Sequence, residues 1–347
     1  MGPSSSCRGS RTGCSRSHGE RKALRTLKWV VRIGTSALIL GALVRVVGWE
    51  RIAGALSGID PRWILLFYGL SLVTRTIHAL QMTQVLRSVS VDVGPIRVFL
   101  ANSLAILYSL VTPGDMIASA AKWGDLSAAS GKRSVVLNAM IYNRLTLLLV
   151  SLVIGSVALF WENPFFDSRL HMAIAFSALA VALLTFAIFS SHASSYVGVV
   201  LAGIAARLPP GIGSRVDMVA TSLRLFQEMP TRRHATVLAI ATLGSLTSAI
   251  GMYIATLALE VEIPFGVILW TQPALLIARQ LPITISNLGI REGLLIYVFG
   301  LYGVPSELAF SVGILSFSGL ILVAIVGLFY QLALVLGWAT WSNREVG

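Results

Sequence analysis

Residues 281–293 combine groups that bind anions with groups that break helices. Arg291 and Glu292 are adjacent there, among Pro282, Gly289 and Gly293, with long apolar runs on both sides. Ionised side chains are costly in hydrocarbon. A broken backbone at membrane depth is tolerated only where protein or a water-filled cavity surrounds it. A break at Ser286–Gly289 followed by a helix starting near Ile290 leaves first-turn amides unpaired at the positive end of the helix dipole. Such an end suits phosphate or carboxylate, and Arg291 adds a planar guanidinium of matching shape. Glu292 is placed to pair with a basic residue or to cap the helix. A purely structural Arg–Glu pair at the membrane interface is the competing reading.

A second break of the same kind lies at Pro113-Gly114-Asp115, followed by Lys122. Asp115 either holds a cation, pairs with an arginine, or caps a helix. Arg144 lies about ten residues into an apolar run, about 15 Å at the rise of an α-helix. Arg279 precedes the second break, and Arg75 and His78 share a helix face at i, i+3. Arg32 and Arg45 lie near the ends of their helix and reach the interface by snorkelling. At membrane depth, five basic residues (Arg75, Lys122, Arg144, Arg279, Arg291) face two acids (Asp115, Glu292), an excess of +3. That balance favours an anionic ligand; a proton relay would lead with carboxylates and histidines.

Enzymatic chemistry finds little support. His18, His78, His171, His192 and His234 have no metal-ligand spacing, and no nucleophile–base pair assembles. Cys7 and Cys14 form neither a disulfide framework nor a zinc site. No phosphate-binding G-x-x-x-x-G-K-[ST] loop occurs. The expectation is therefore a non-enzyme without cofactor or metal.

The elements that position these residues follow from composition. The chain of 347 residues is 55% apolar and 12% charged, with a mean hydropathy of +0.79, against about 25% charged in soluble domains. This predicts an all-α polytopic membrane protein; the alternation of an outer-membrane barrel is absent. The net charge of +12 is uneven: residues 1–28 hold seven basic residues and the single acid Glu20. That Ser- and Gly-rich segment is predicted to be a disordered cytoplasmic tail obeying the positive-inside rule rather than a nucleic-acid-binding arm. Its Gly2 start fits the myristoylation pattern poorly because of Pro3. A retained signal-anchor helix follows, placing the protein in the plasma (inner) membrane with its N-terminus in the cytoplasm, and residues 29–347 form one transmembrane domain.

Apolar runs long enough to span are Trp29–Val47, Trp63–Leu86, Val135–Leu159, Leu170–Ser190, Thr236–Leu259 and Leu308–Trp341, the last long enough for one tilted helix or two short ones. Residues Tyr196–Leu208 suit an amphipathic helix at the inner surface. Two further runs are interrupted: Ile96–Val111, resuming after Asp115, and Phe265–Ile277, resuming at Leu294. Loop charges place both ends of the first interrupted run inside and both ends of the second outside. Each half then reads as helix, broken hairpin, helix, in opposite orientations, which is the pattern of an inverted repeat with discontinuous helices. The prediction is six to eight transmembrane helices plus two re-entrant hairpins.

Gly114-Asp115, Ala121-Lys122-Trp123, Leu126, Ser130-Gly131 and Asn143-Arg144 resemble the first signature of the lysylphosphatidylglycerol synthase transmembrane-region family, also called flippase-like. Leu281–Ser286, Leu288-Gly289, Arg291-Glu292-Gly293 and Gly303-Val304 resemble its second. Asn143 departs from the family at a position where an acid often precedes the arginine, and Asn287 departs where glycine is common. The resemblance implies re-entrant segments and movement of lipids, or lipid-linked precursors, between leaflets. It does not imply lysyl transfer, which belongs to a separate soluble domain in the full synthases; the expectation is that no such domain is present here. The resulting expectation is a translocase for an anionic membrane lipid, with Arg291, Gly289, Arg144 and Arg279 binding its phosphate and Asp115, Lys122 and Glu292 beside them. The alternative is a non-transporting membrane partner of a lipid-modifying enzyme or glycosyltransferase.

Overall fold

The computed structural model describes residues 57–111, 115–162, 229–278 and 288–336, with positions 44, 50, 54 and 203 in addition. The expected tail, the spans Trp29–Val47 and Leu170–Ser190, the surface helix Tyr196–Leu208 and the Pro282–Asn287 break lie outside these residues. The described residues form helices and no strands. In chain order the helices are α1 (Pro61–Ser88), α2 (Pro95–Val111), α3 (Asp115–Ser130), α4 (Arg133–Glu162), α5 (Thr231–Ala258), α6 (Phe265–Ala278), α7 (Ile290–Gly300) and α8 (Ser306–Val335).

Local sequence sets the helix ends. Asp60 caps α1 by accepting the Arg62 amide at 2.9 Å, with Pro61 in the first turn, where it costs no helical bond. Four helices (α1, α4, α5 and α8) are long and apolar enough to cross a membrane. At 28 to 30 residues each they exceed the roughly 20 residues a bilayer core requires. The Leu308–Trp341 run resolves as the one long helix α8. Helices α2 and α6, at 17 and 14 residues, fall short of that length.

The chain folds as two copies of one plan. Helices α1 and α5 are both 28 residues and begin 170 positions apart, at 61 and 231; α2 and α6 begin at the same offset, at 95 and 265. Helices α4 and α8 are both 30 residues and begin 173 apart. The connections match as well. Ser90 (φ 57°) and Glu260 (φ 53°) are the two non-glycine residues in the left-handed region among those described, at the same place after α1 and α5. Val91 N–H closes back on the Leu86 carbonyl and Val261 N–H on the Thr256 carbonyl in the same way. Gly131 (φ 69°) and Gly303 (φ 76°) turn the chain into α4 and α8, where a left-handed backbone favours glycine.

The two copies run in opposite directions. Gly244 of α5 faces His78 of α1, and Gly251 faces Leu70, so α5 descends as α1 rises. Each short pair of helices enters and leaves at one end of the bundle. Lys132 Nζ, just before α4, donates to the Ser90 carbonyl at 2.8 Å, joining the two ends of the α2–α3 hairpin. Val261 and Ile263, before α6, and Tyr302, after α7, belong to one apolar cluster, which joins the ends of the α6–α7 hairpin at the opposite face. The all-helical fold and its internal repeat, with two oppositely directed pairs of short helices, thus appear as the sequence predicts, while the breaks at 112–114 and 279–287 lie outside the described residues.

Each long helix after a hairpin clamps the hairpin of the other half. A Cβ on Gly327 of α8 would collide with the Ser103 backbone of α2, its carbonyl carbon lying 2.6 Å away. A Cβ on Gly155 of α4 would collide with the Pro273 ring of α6, with Cδ at 2.9 Å. Ser103 and Pro273 are themselves 170 residues apart, so these are the same contact made twice. Pro273 cannot donate to the Leu269 carbonyl, and that carbonyl lies 3.4 Å from the position of a Gly155 Cβ. Two apolar cores result, one around Phe67, Ile268, Phe299 and Val312, the other around Met82, Leu86, Leu126 and Val136.

Charge separates along the same axis. Among the described residues, the end nearest the second core carries Arg87, Lys132, Arg133, Arg232 and Arg233 with one exposed acid, Asp92, and the other end carries Asp60, Glu162, Glu260, Glu262 and Glu307 with one base, Arg62.

Candidate functional site

Between the two cores the helices do not close on one another. Two cavities meet there, about 330 Å³ toward the basic end and about 90 Å³ toward the acidic end. Thr74, Arg75, Ser248, Gln272 and Leu275 line both. They are stacked along the repeat axis, because the larger takes His78 of α1 and the smaller takes Phe67 and Ser71.

The larger chamber is lined by residues related by the repeat. Asn102, Ala105 and Ile106 of α2 face Gln272, Leu275 and Leu276 of α6, each pair 170 positions apart. His78 and Ser248, and Arg75 and Ser245, are paired by the same offset. The long helices α4 and α8 divide between the two chambers. Asn143 and Leu147 of α4 line the larger, and Ser316 and Leu320 of α8, 173 residues on, line the smaller. The short second helix of each hairpin gives its chamber one base: Lys122 from α3 and Arg291 from α7. No aspartate or glutamate appears among the described residues lining either chamber.

Arg291 and Glu292 form a buried unit. Arg291 is 5% exposed and Glu292 0%. Arg291 Nε donates to Glu292 Oε1 at 3.0 Å, and Nη2 pairs with the same oxygen. Glu292 Oε2 accepts the Gly289 amide at 2.7 Å. The positive end of α7, expected to meet a ligand's phosphate at Gly289, is therefore occupied at that amide by the chain's own carboxylate. Gly289 has φ 87°, which lets the chain turn into the helix. Gly313 of α8 makes room for Glu292, since a Cβ there would lie 3.0 Å from its Cγ. The Arg291 guanidinium stands over the Phe317 ring, 5.4 Å from its centroid, an arrangement in which cation and ring attract.

The other predicted residues fall as follows. Lys122 is half-buried and lines the larger chamber with Arg75 and His78. Arg144 is on an exposed face of α4, one position beyond the chamber-lining Asn143 and outside both linings. Asp115 begins α3, and its side chain is outside the described residues, as is the whole of Arg279.

Sequence reasoning underweighted Arg75, which stands mid-way along α1 and faces both chambers. It passed over Asn102 and Gln272, whose signal is the fixed 170-residue offset between two interrupted apolar runs. It also missed a brace outside the chambers. Asp125 Oδ1 of α3 is 3.4 Å from Arg97 Nη2 of α2 and accepts the Tyr330 hydroxyl of α8 at 3.0 Å. This ties the first hairpin to the second half. At the basic end, the Tyr142 hydroxyl and His234 Nδ1 join α4 to α5 at 2.7 Å.

A family model described as Lysylphosphatidylglycerol synthase TM region matches residues 29–327. No curated protein and no solved structure matches the chain.

Proposed function

We propose, from the premise that the chain belongs to the lysylphosphatidylglycerol synthase transmembrane-region family, that it moves the head group of an anionic lipid across the membrane through the chambers on the repeat axis. The observation carrying this reading is the lining: Lys122, Arg75 and Arg291 converge on two adjoining cavities that no described carboxylate lines. Cations enclosed away from water bind phosphate more strongly than exposed ones, because the local dielectric is low. Sites at the junction of inverted repeats, bounded by discontinuous helices, are where alternating-access carriers hold their substrates.

The head group enters the larger chamber at Lys122, passes to Arg75, and leaves by the smaller chamber at Arg291. Exchange of the two halves' conformations would shrink the first chamber and enlarge the second, since α4 lines the first where α8 lines the second. Glu292 holds Arg291 in place rather than touching the lipid. The charge separation between the ends orients the basic end to the cytoplasm by the positive-inside rule, in the plasma membrane. Arg144, Arg279 and Asp115 are assigned to the approaches rather than to the chambers.

The test is reconstitution in liposomes with fluorescent phospholipids and a membrane-impermeant quencher. Labelled phosphatidic acid should cross faster than labelled phosphatidylcholine, and Lys122→Gln should slow it about tenfold, the worth of one charge-assisted contact. Equal rates for the two lipids, or a Lys122→Gln rate equal to wild type, would contradict the proposal.

A further inference from the structure

Lys122 and Asp125 stand three residues apart on α3. At that spacing two Cβ atoms are about 5–6 Å apart, and opposite charges pair across the helix surface. Side chains on a helix also lean toward its N-terminus, which carries the Asp125 carboxylate back over the turn that bears Lys122. Helix α3 has no other acid within a turn of that lysine. Yet no ion pair joins the two among the described residues. Asp125 Oδ1 instead accepts the Tyr330 hydroxyl of α8 at 3.0 Å. Arg97 Nη2 of α2 lies 3.4 Å from the same oxygen and 3.5 Å from the Asp125 carbonyl oxygen. Asp125, Arg97 and Tyr330 line neither chamber.

The carboxylate is held away by one oxygen. The Asp125 side chain is 8% exposed, and its Oδ2 is buried without a hydrogen bond. A buried charged acceptor is costly to leave unmade, so the group is drawn to a further cation, and on its own helix that cation is Lys122. The second half shows the outcome where no such tie exists. The repeat offsets of 170 and 173 residues relate Arg97 to Val267 of α6 and Tyr330 to Val157 of α4, neither of which can hold a carboxylate. There the acid Glu292 rests on the adjacent base Arg291.

We propose that Tyr330 and Arg97 are positioning residues, which hold the Asp125 carboxylate away from Lys122 so that the lysine keeps its charge for an anion in the larger chamber. This rests on the translocase reading and extends it to side chains of α2 and α8 that touch no ligand. Loss of the tie lets Asp125 turn back over its own helix and pair with Lys122, in competition with the anion.

Tyr330→Phe removes the hydroxyl and keeps the ring. In liposomes of the full chain it should slow labelled phosphatidic acid about tenfold, to the rate of Lys122→Gln, a charge-assisted contact being worth a factor of that order. Asp125→Asn should stay within about twofold of wild type, and the Tyr330→Phe/Asp125→Asn double variant should recover to the same range, because no carboxylate is left to compete. Calorimetry with inorganic phosphate in detergent should follow the same order, with about tenfold weaker binding in Tyr330→Phe and recovery in the double variant. A brace that only supports the fold gives a different order, with Asp125→Asn as slow as Tyr330→Phe and the double variant no faster than either. That order, or a Tyr330→Phe rate equal to wild type, would overturn the assignment. If wild-type protein moves no anionic lipid, the translocase reading fails and the phosphate titration decides alone. Weaker binding in Tyr330→Phe with recovery in the double variant then upholds the positioning role, and no difference between wild type and Tyr330→Phe, absence of binding in both included, overturns it.

Discussion

The two hairpins share one backbone plan and differ in how they carry charge. In the α6–α7 hairpin the basic residue arrives with its own acid, Arg291 beside Glu292, and the pair is buried against Phe317. In the α2–α3 hairpin Lys122 lines its chamber alone on its helix, while Asp125, one turn on, is committed elsewhere, to Arg97 and Tyr330. The chamber served by the compensated pair is about 90 Å³ and the one served by Lys122 about 330 Å³. A repeat in the backbone therefore does not force a repeat in the electrostatics. One half offers net charge to a ligand, and the other offers a charge already balanced. Under the proposed function, an anion would be drawn into the first and held less tightly in the second.

The largest effect that would sharpen this contrast is on stability. Glu292→Gln leaves Arg291 buried without a charged partner and keeps one acceptor oxygen where Arg291 and the Gly289 amide now use two. It should lower unfolding stability in detergent by about 3–5 kcal/mol. Lys122→Gln, at a half-buried position, should cost about 1 kcal/mol or less. Thermal denaturation of both variants makes the comparison, and similar losses would break the distinction between the hairpins. Next in size is the shared clamp. Gly155→Ala and Gly327→Ala each force a methyl into an occupied position, so each should cost about 1–3 kcal/mol. The two losses should agree within a factor of about two if the contacts are equivalent. A loss in one variant alone would show that the repeat is not maintained at the clamps.

Much of this architecture is legible in the sequence because hydrophobicity is the main determinant of a membrane helix. Expected ends at Trp63–Leu86 and Val135–Leu159 fall within a few residues of the observed Pro61–Ser88 and Arg133–Glu162. The loop charges gave the opposed hairpins, because Lys132-Arg133 and Glu260–Glu262 lie at opposite ends of the bundle. The repeat is also written in the connections, where Val91-Asp92-Val93 and Val261-Glu262-Ile263 alternate in the same way.

The site was less legible. Helix α4 is apolar on every side, so no stripe told which way Arg144 would face, and it faces outward while Asn143 lines the chamber. Glu292 read equally well as ligand contact or cap; only the packing of α7 on Gly313 fixes it as the cap. The Asp125–Tyr330 bond joins residues 205 positions apart, a separation at which spacing carries no signal.

Arg75 tests the central claim most directly, because it is the basic residue common to both chambers. The measurement is the rate at which labelled phosphatidic acid crosses liposomes containing Arg75→Gln protein of wild-type thermal stability. A passage that runs through both chambers predicts a rate about tenfold or more below wild type, from loss of a charge-assisted contact at every stage. A rate within about twofold of wild type, a difference of well under 1 kcal/mol, would show that the anion does not travel along the repeat axis.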